Sequence, residues 1–152
     1  MKTRKNVKGF TLVELIVVIA IIGVLAAILV PSLLGYVKKS KVSAMNANAK
    51  DYFDAVNTSL IEMDSQGKTM STYNGGNAHG SLNADLKAAV ENFFADATKT
   101  GYTFNSFVAS GACTATSASD GNYWGCYPTG NDVKHATDTP TLDASGSHPV
   151  TT

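Results

Sequence analysis

The sequence is poor in the residues that usually carry chemistry. Its 152 residues include two cysteines, three histidines and one tryptophan. His79, His135 and His148 are scattered, without metal-ligand spacing, so no metal centre is expected. There is no phosphate-binding loop and no nucleophile elbow. The acids form no catalytic pair. These absences point away from an enzyme, and no cofactor is expected. The formal net charge is zero, but it is unevenly placed. Four of the 12 basic residues, Lys2, Arg4, Lys5 and Lys8, lie in the first nine positions with no acid among them. The remainder is left with 8 bases against 12 acids, a balance near −4. That balance lacks the basic surface of a nucleic-acid binder, and no specific nucleic-acid site is evident.

Cysteine is scarce but even in number. In a secreted setting, Cys113 and Cys126 suggest one disulfide closing a short loop, worth roughly 3 kcal/mol. The polar sequence between them argues against deep burial. Two free buried thiols are the alternative.

What the chain does have is one long apolar run. From Phe10 to Val30 only Thr11 and Glu14 are polar. Twenty-one residues of helix rise about 31 Å, close to the hydrocarbon thickness of a bilayer, about 30 Å. The basic flank places the N-terminal end in the cytoplasm and the rest outside. The run ends in Ile28-Leu29-Val30-Pro31, which is a poor match to an ordinary signal-peptide cleavage site. Glu14 is the anomaly. A carboxylate well inside a bilayer costs on the order of 3 kcal/mol, and such groups are usually functional. A shallow position that reaches headgroup water is the plainer explanation, but it gives no reason for an acid there.

Lys8-Gly9-Phe10-Thr11-Leu12-Val13-Glu14-Leu15, with the basic leader and the apolar run, resembles the processing motif of type IV prepilins and the related pseudopilins. The resemblance is close over residues 8–31 and fades beyond about residue 50. It implies cleavage between Gly9 and Phe10 by a membrane prepilin peptidase, which also N-methylates Phe10. It implies that the apolar helix is retained as the core of a filament. A glycine at the cut leaves no side chain between the backbone and a peptidase. An ammonium on Phe10 and a carboxylate on Glu14 each need an opposite partner when buried. Glu14 is therefore expected to pair with Phe10 of a neighbouring subunit and to fix axial register. Gly23 and Pro31 are the expected helix break, where the family's filaments bend or partly unwind; a simple exit from the membrane is the other reading of Pro31.

The rest of the chain reads as α+β. Leu34, Val37, Met45, Tyr52, Val56, Leu60 and Met63 keep helix spacing, so one helix is predicted from Phe10 to about Met63. Residues 64–80 read as loop. A short second helix is predicted after Asn83, through about Ala97. Strands are predicted at 102–108, 112–116 and 123–129, with a turn at Ser119-Asp120-Gly121-Asn122. Residues 130–152 read as irregular, apart from a late strand near Thr141-Leu142. The domain reading is a leader at 1–9, a transmembrane and assembly helix at 10–31, and a globular domain at 32–152 that includes the outer half of the helix. The outer half is expected to pack against a small antiparallel sheet.

Tyr123, Trp124 and Tyr127 cluster in sequence. They are either core or a contact site for a surface or polysaccharide ligand. Asn57-Thr58-Ser59 matches a glycosylation acceptor, but it lies in the predicted helix.

The expected function is a structural subunit of a type IV pilus serving adhesion, motility or DNA uptake. A pseudopilin of a type II secretion or competence system is the alternative, and a membrane-tethered carbohydrate-binding module is the second. The resemblance implies further copies of the chain, the prepilin peptidase, an inner-membrane platform protein and an assembly ATPase as partners. It also implies passage from a single-pass membrane precursor to an extracellular pilus.

Overall fold

A single uninterrupted helix, α1, runs from Leu12 to Ser65, carried by apolar residues and alanines that favour helix. The structure is a computed structural model that describes residues 9–128, 140–143 and 146–148. The chain divides between Lys38 and Lys39 into two units. In the first, α1 leaves its apolar side chains exposed all round, from Leu12 to Val37. This part is long and apolar enough to cross a membrane. The expected break at Gly23 and Pro31 is absent. Pro31 lies inside the helix, and α1 continues past both residues. A proline removes one donor only, and the strong helix formers on either side keep the ladder going.

In the second unit, the stripe Met45, Ala49, Tyr52, Val56, Leu60 and Met63 is buried, as its spacing predicts. It packs on a four-stranded antiparallel sheet of order β1-β2-β3-β4. The strands are β1 (Gly75–Ala78), β2 (Thr103–Ala109), β3 (Ala112–Ser119) and β4 (Trp124–Tyr127). A helix α2 (Ala84–Phe93) adds Leu86 and Val90 to the core. Its N-cap is Asn83, whose side chain accepts from the Asp85 N–H at 3.0 Å. It ends at Phe93, short of Ala97, and a separate turn of 3₁₀ helix follows at Ala95–Thr98. Strands β5 (Thr141–Asp143) and β6 (Gly146–His148) form a hairpin that touches β3, so the late strand has a partner. The remaining residues of the expected irregular tail, and Thr129, lie outside the described residues.

Polar groups on α1 dock the helix to the sheet. Thr116 Oγ1 donates to the Ala49 carbonyl at 2.7 Å. Asn46 Oδ1 accepts from the Cys126 N–H at 2.9 Å and so closes the edge of β4. Asn57 accepts from the Cys113 N–H at 2.9 Å and donates to the Cys113 carbonyl. These are backbone groups on the stretch of β3 that β4 does not reach. The glycosylation-like asparagine is thus a clamp between helix and sheet. The expected turn is present: Asp120 Oδ1 accepts from the N–H groups of Asn122 and Tyr123, and Gly121 takes a φ of 85°.

The expected disulfide is absent: Cys113 and Cys126 are free, and both are buried. The reason is a β-bulge. Val108 pairs with Cys113 but Phe107 pairs with Ala115, so Thr114 is an extra residue and the alternation of faces shifts there. Cys113 faces the core beneath α1. Cys126 pairs with Ser117, next to the helix-facing Thr116, so it points to the opposite face. Ser117 lies four residues along β3 from Cys113, roughly 10 Å or more, whereas a disulfide needs Cα atoms within about 7 Å. Polar sequence around the cysteines did not prevent burial, because the sheet is covered on both sides.

Burial pushes the Cys113 thiol from 9.0 up to about 12, with hydrogen bonding to the Ala115 and Phe107 backbone opposing the rise. Above about pH 9 the unfolded chain loses this proton, while the native chain keeps it to about pH 12. Stability is therefore expected to fall across that window. Denaturant melts of wild type and Cys113→Ala between pH 8 and pH 11 check this, since only the wild type carries this part of the alkaline loss.

Behind α1 lies one buried polar chain. The Tyr52 hydroxyl is 3.1 Å from His79 Nδ1, and His79 Nε2 is 3.3 Å from Glu91. A carboxylate can only accept, so Nε2 carries the hydrogen in the neutral ring and Tyr52 donates to Nδ1. Burial holds the Tyr52 phenol well above its ordinary value, with the Ser106 hydroxyl beside it opposing. The chain ties α1, the turn after β1 and α2 together, which is a structural use for the one described histidine side chain.

Candidate functional site

The N-terminal segment is the candidate site. Gly9 and Phe10 are exposed and precede the first turn of α1. Phe10 is 84% exposed, an unusual setting for a phenylalanine. Thr11 is the N-cap of α1 and Glu14 its third helical residue. Glu14 Oε2 accepts from the Thr11 N–H at 2.8 Å and from Thr11 Oγ1 at 2.7 Å. Thr11 Oγ1 in turn accepts from the Glu14 N–H at 3.3 Å. This is a capping box, which satisfies two donors that a helix start otherwise leaves open.

The box gives Glu14 a second reason to be acidic. It also gives Thr11 a role. The signal was legible as Thr-x-x-Glu ahead of an apolar run, which is the spacing of a capping box. The contacts engage Oε2, so Oε1 remains available to a second partner.

The aromatic cluster does not form one surface. Trp124 and Tyr127 lie three apart on β4 and so project to opposite faces of the sheet. Tyr127 packs edge-on against Phe53 with centroids 4.9 Å apart, and Lys50 Nζ stands 5.9 Å from its ring. It belongs to the helix–sheet packing. Tyr123 and Trp124 are half-buried. Of the two readings, core or contact site, Tyr127 takes the first, because strand alternation turns it to the helix side and away from Trp124. Among the described residues, no group of three His, Cys, Asp or Glu side chains is placed to hold a metal.

Comparison with known proteins addresses the same N-terminal segment. Residues 4–30 match the family model described as the prokaryotic N-terminal methylation motif. Over 102 residues the chain is 34% identical to the type IV major fimbrial protein FimA of Dichelobacter nodosus, covering 67% of this chain and 64% of that one. These matches support a likeness to the type IV pilins that carry this N-terminal methylation motif. The chain is also 42% identical over 57 residues to the type IV major pilin protein PilA of Myxococcus xanthus, covering 38% of this chain and 26% of that one. The type IV major alpha-pilin of Moraxella bovis is 46% identical over 55 residues, 36% of this chain and 35% of its own. The chain spans less than two thirds of the length of each of these pilins. No solved structure matches it. The family's long helix on an antiparallel sheet, expected from the sequence, is the fold found here.

Proposed function

We propose that this chain is the structural subunit of a type IV pilus. In this reading it is cut after Gly9, methylated on Phe10, and polymerised through the apolar part of α1. The observation that carries the proposal is the pairing of two features. An accessible Gly9-Phe10 junction stands before a capped helix, and that helix exposes apolar side chains on every face. Such a surface needs either lipid or copies of itself. A bilayer satisfies it before assembly, and neighbouring helices satisfy it afterwards.

The charges follow from the geometry. Cutting at Gly9 creates an ammonium on Phe10, and methylation leaves it charged. Among packed helices that ammonium needs an acceptor. Glu14 is the one acid between residue 1 and Asp51. With Oε2 held by Thr11, Oε1 would be left to take the ammonium of a neighbour's Phe10. The box would orient the carboxylate, and the pair would set the axial step between subunits. The prepilin peptidase, an inner-membrane platform and an assembly ATPase complete this reading as partners. The precursor would lie in the cytoplasmic membrane with residues 1–9 inside, and the pilus would be extracellular.

Fractionation tests it. Cells are sheared, and the chain is followed by antibody in the sheared filaments and in the membranes. A subunit of a surface pilus appears in both fractions, and deletion of its gene removes the filaments. A pseudopilin appears in membranes alone, and a tethered binding module also stays there with its leader attached.

A further inference from the structure

Four of the described lysines have a carboxylate within 4.0 Å: Lys50 with Asp54, Lys68 with Asp85, Lys87 with Glu91 and Lys99 with Asp96. Lys38, Lys39 and Lys41 are different. No acid occurs between Glu14 and Asp51, so none lies within one helical turn of them. All three are exposed. They follow at once on Tyr36 and Val37, the last of the exposed apolar side chains that continue beyond the apolar run.

Their placement on α1 is informative. At 100° and 1.5 Å per residue, the three ammonium stems fan over about 160° of the helix but occupy only about 4.5 Å of its length. A linear partner would call for a stripe along one face, at spacings of three and four. Charges spread around the helix at a single height instead suit a plane that the helix crosses. The height fits as well. From Leu12 to Val37 the helix rises about 39 Å, and with Phe10 and Thr11 ahead of it this reaches the roughly 40–45 Å of a bilayer with both headgroup layers. With Phe10 at one headgroup layer, Lys38 reaches the other. Tyrosines favour that interfacial zone, and lysines extend their ammonium groups into it.

We propose that Lys38, Lys39 and Lys41, with Tyr36, form a collar that binds anionic phospholipid headgroups in the leaflet opposite residues 1–9. The proposal rests on the reading of the chain as a membrane-spanning precursor. The collar would fix the depth of the helix in the bilayer. It would also hold the subunit in the membrane until neighbouring subunits replace the lipid.

The test uses the full chain in three forms: wild type, the triple variant Lys38→Gln/Lys39→Gln/Lys41→Gln, and the leader variant Lys2→Gln/Arg4→Gln/Lys5→Gln/Lys8→Gln. Each is reconstituted in vesicles of equal phosphatidylglycerol and phosphatidylcholine. Lipids that stay bound after gentle extraction are counted by native mass spectrometry. Each lysine near an anionic surface contributes about fivefold. Wild type and leader variant should therefore retain phosphatidylglycerol over phosphatidylcholine by about tenfold or more. The triple variant should lose that preference, and about 0.5 M salt should reduce it in the wild type and the leader variant. An unchanged preference in the triple variant, or loss confined to the leader variant, overturns the collar. Displacement of the lipid by inorganic phosphate, or capture of an oligonucleotide in its place, overturns the lipid assignment. Alkaline carbonate extraction reports insertion separately. Insertion without lipid preference refutes the collar and leaves the membrane reading standing, whereas failure to insert removes the membrane reading and the collar with it.

Discussion

Glu14→Ala is expected to abolish filaments while the precursor still reaches the membrane. Removing one partner from a buried, hydrogen-bonded ion pair costs about 3 to 5 kcal/mol. That is roughly two to four orders of magnitude in the equilibrium constant for each subunit added. The same substitution also opens the capping box, so it does not by itself separate a charge partner from a helix cap. Two further variants do. Glu14→Gln keeps an oxygen for the Thr11 N–H, since glutamine serves in a capping box, but it has no charge. Thr11→Val keeps the charge and loses the hydroxyl that both donates to and accepts from Glu14, at about 1 kcal/mol. If the carboxylate is an assembly contact, electron microscopy of sheared material shows no filaments for either Glu14 variant. Thr11→Val then shows filaments in reduced number. Normal filaments from Glu14→Gln, with none from Thr11→Val, would make Glu14 a helix cap and nothing more.

Gly125→Ala should be the most damaging single methyl in the globular unit. A Cβ on Gly125 would stand 2.2 Å from both the Asn46 nitrogen and the Met45 carbonyl carbon, and 2.6 Å from the Met45 oxygen. All three are backbone atoms of α1, so no side chain can swing aside. Ordinary contact would require helix and strand to part by more than 1 Å. That movement stretches the Asn46–Cys126 bond, and it strains the Thr116–Ala49 bond one strand away. Overpacking of this kind costs about 3 kcal/mol or more where the neighbours are rigid. A small domain has about 5 to 15 kcal/mol in total. Denaturant melts of residues 39–152, which form a compact unit, provide the measurement. Gly80→Ala serves as the control, because its Cβ would meet nothing within 4 Å. A Gly125→Ala midpoint that matches the control would contradict the close approach.

The long helix, the clustering of strands and the N-terminal motif were legible because each rests on local pattern. Apolar spacing set the buried stripe of α1, and Asn83 marked the start of α2. Three features were not legible, for separate reasons. Strand β1, Gly-Gly-Asn-Ala, has no β-branched residue and no alternation, so only pairing with β2 makes it a strand. Gly76 lets the Phe107 ring lie across it, at 2.9 Å from where a Cβ would be. The bulge at Thr114 reversed the faces of β3 and separated two cysteines whose spacing suggested a bridge. Pro31 reads as a break from composition, yet one missing donor in a strongly helical segment leaves α1 continuous. At the candidate site, Gly9, Phe10 and Glu14 were readable from their order alone. The reciprocal bonds of Thr11 gained meaning only once the helix was seen to begin at Leu12.

The most direct measurement is the intact mass of the subunit in sheared surface filaments, with sequencing of its first residues. The predicted result is a chain that begins at Phe10, lacks residues 1–9 and is heavier by one methyl group on its terminal nitrogen. A filament subunit that still carries Met1 to Gly9, or one that begins at Phe10 without the methyl group, would contradict processing at this junction as the step that prepares α1 for assembly.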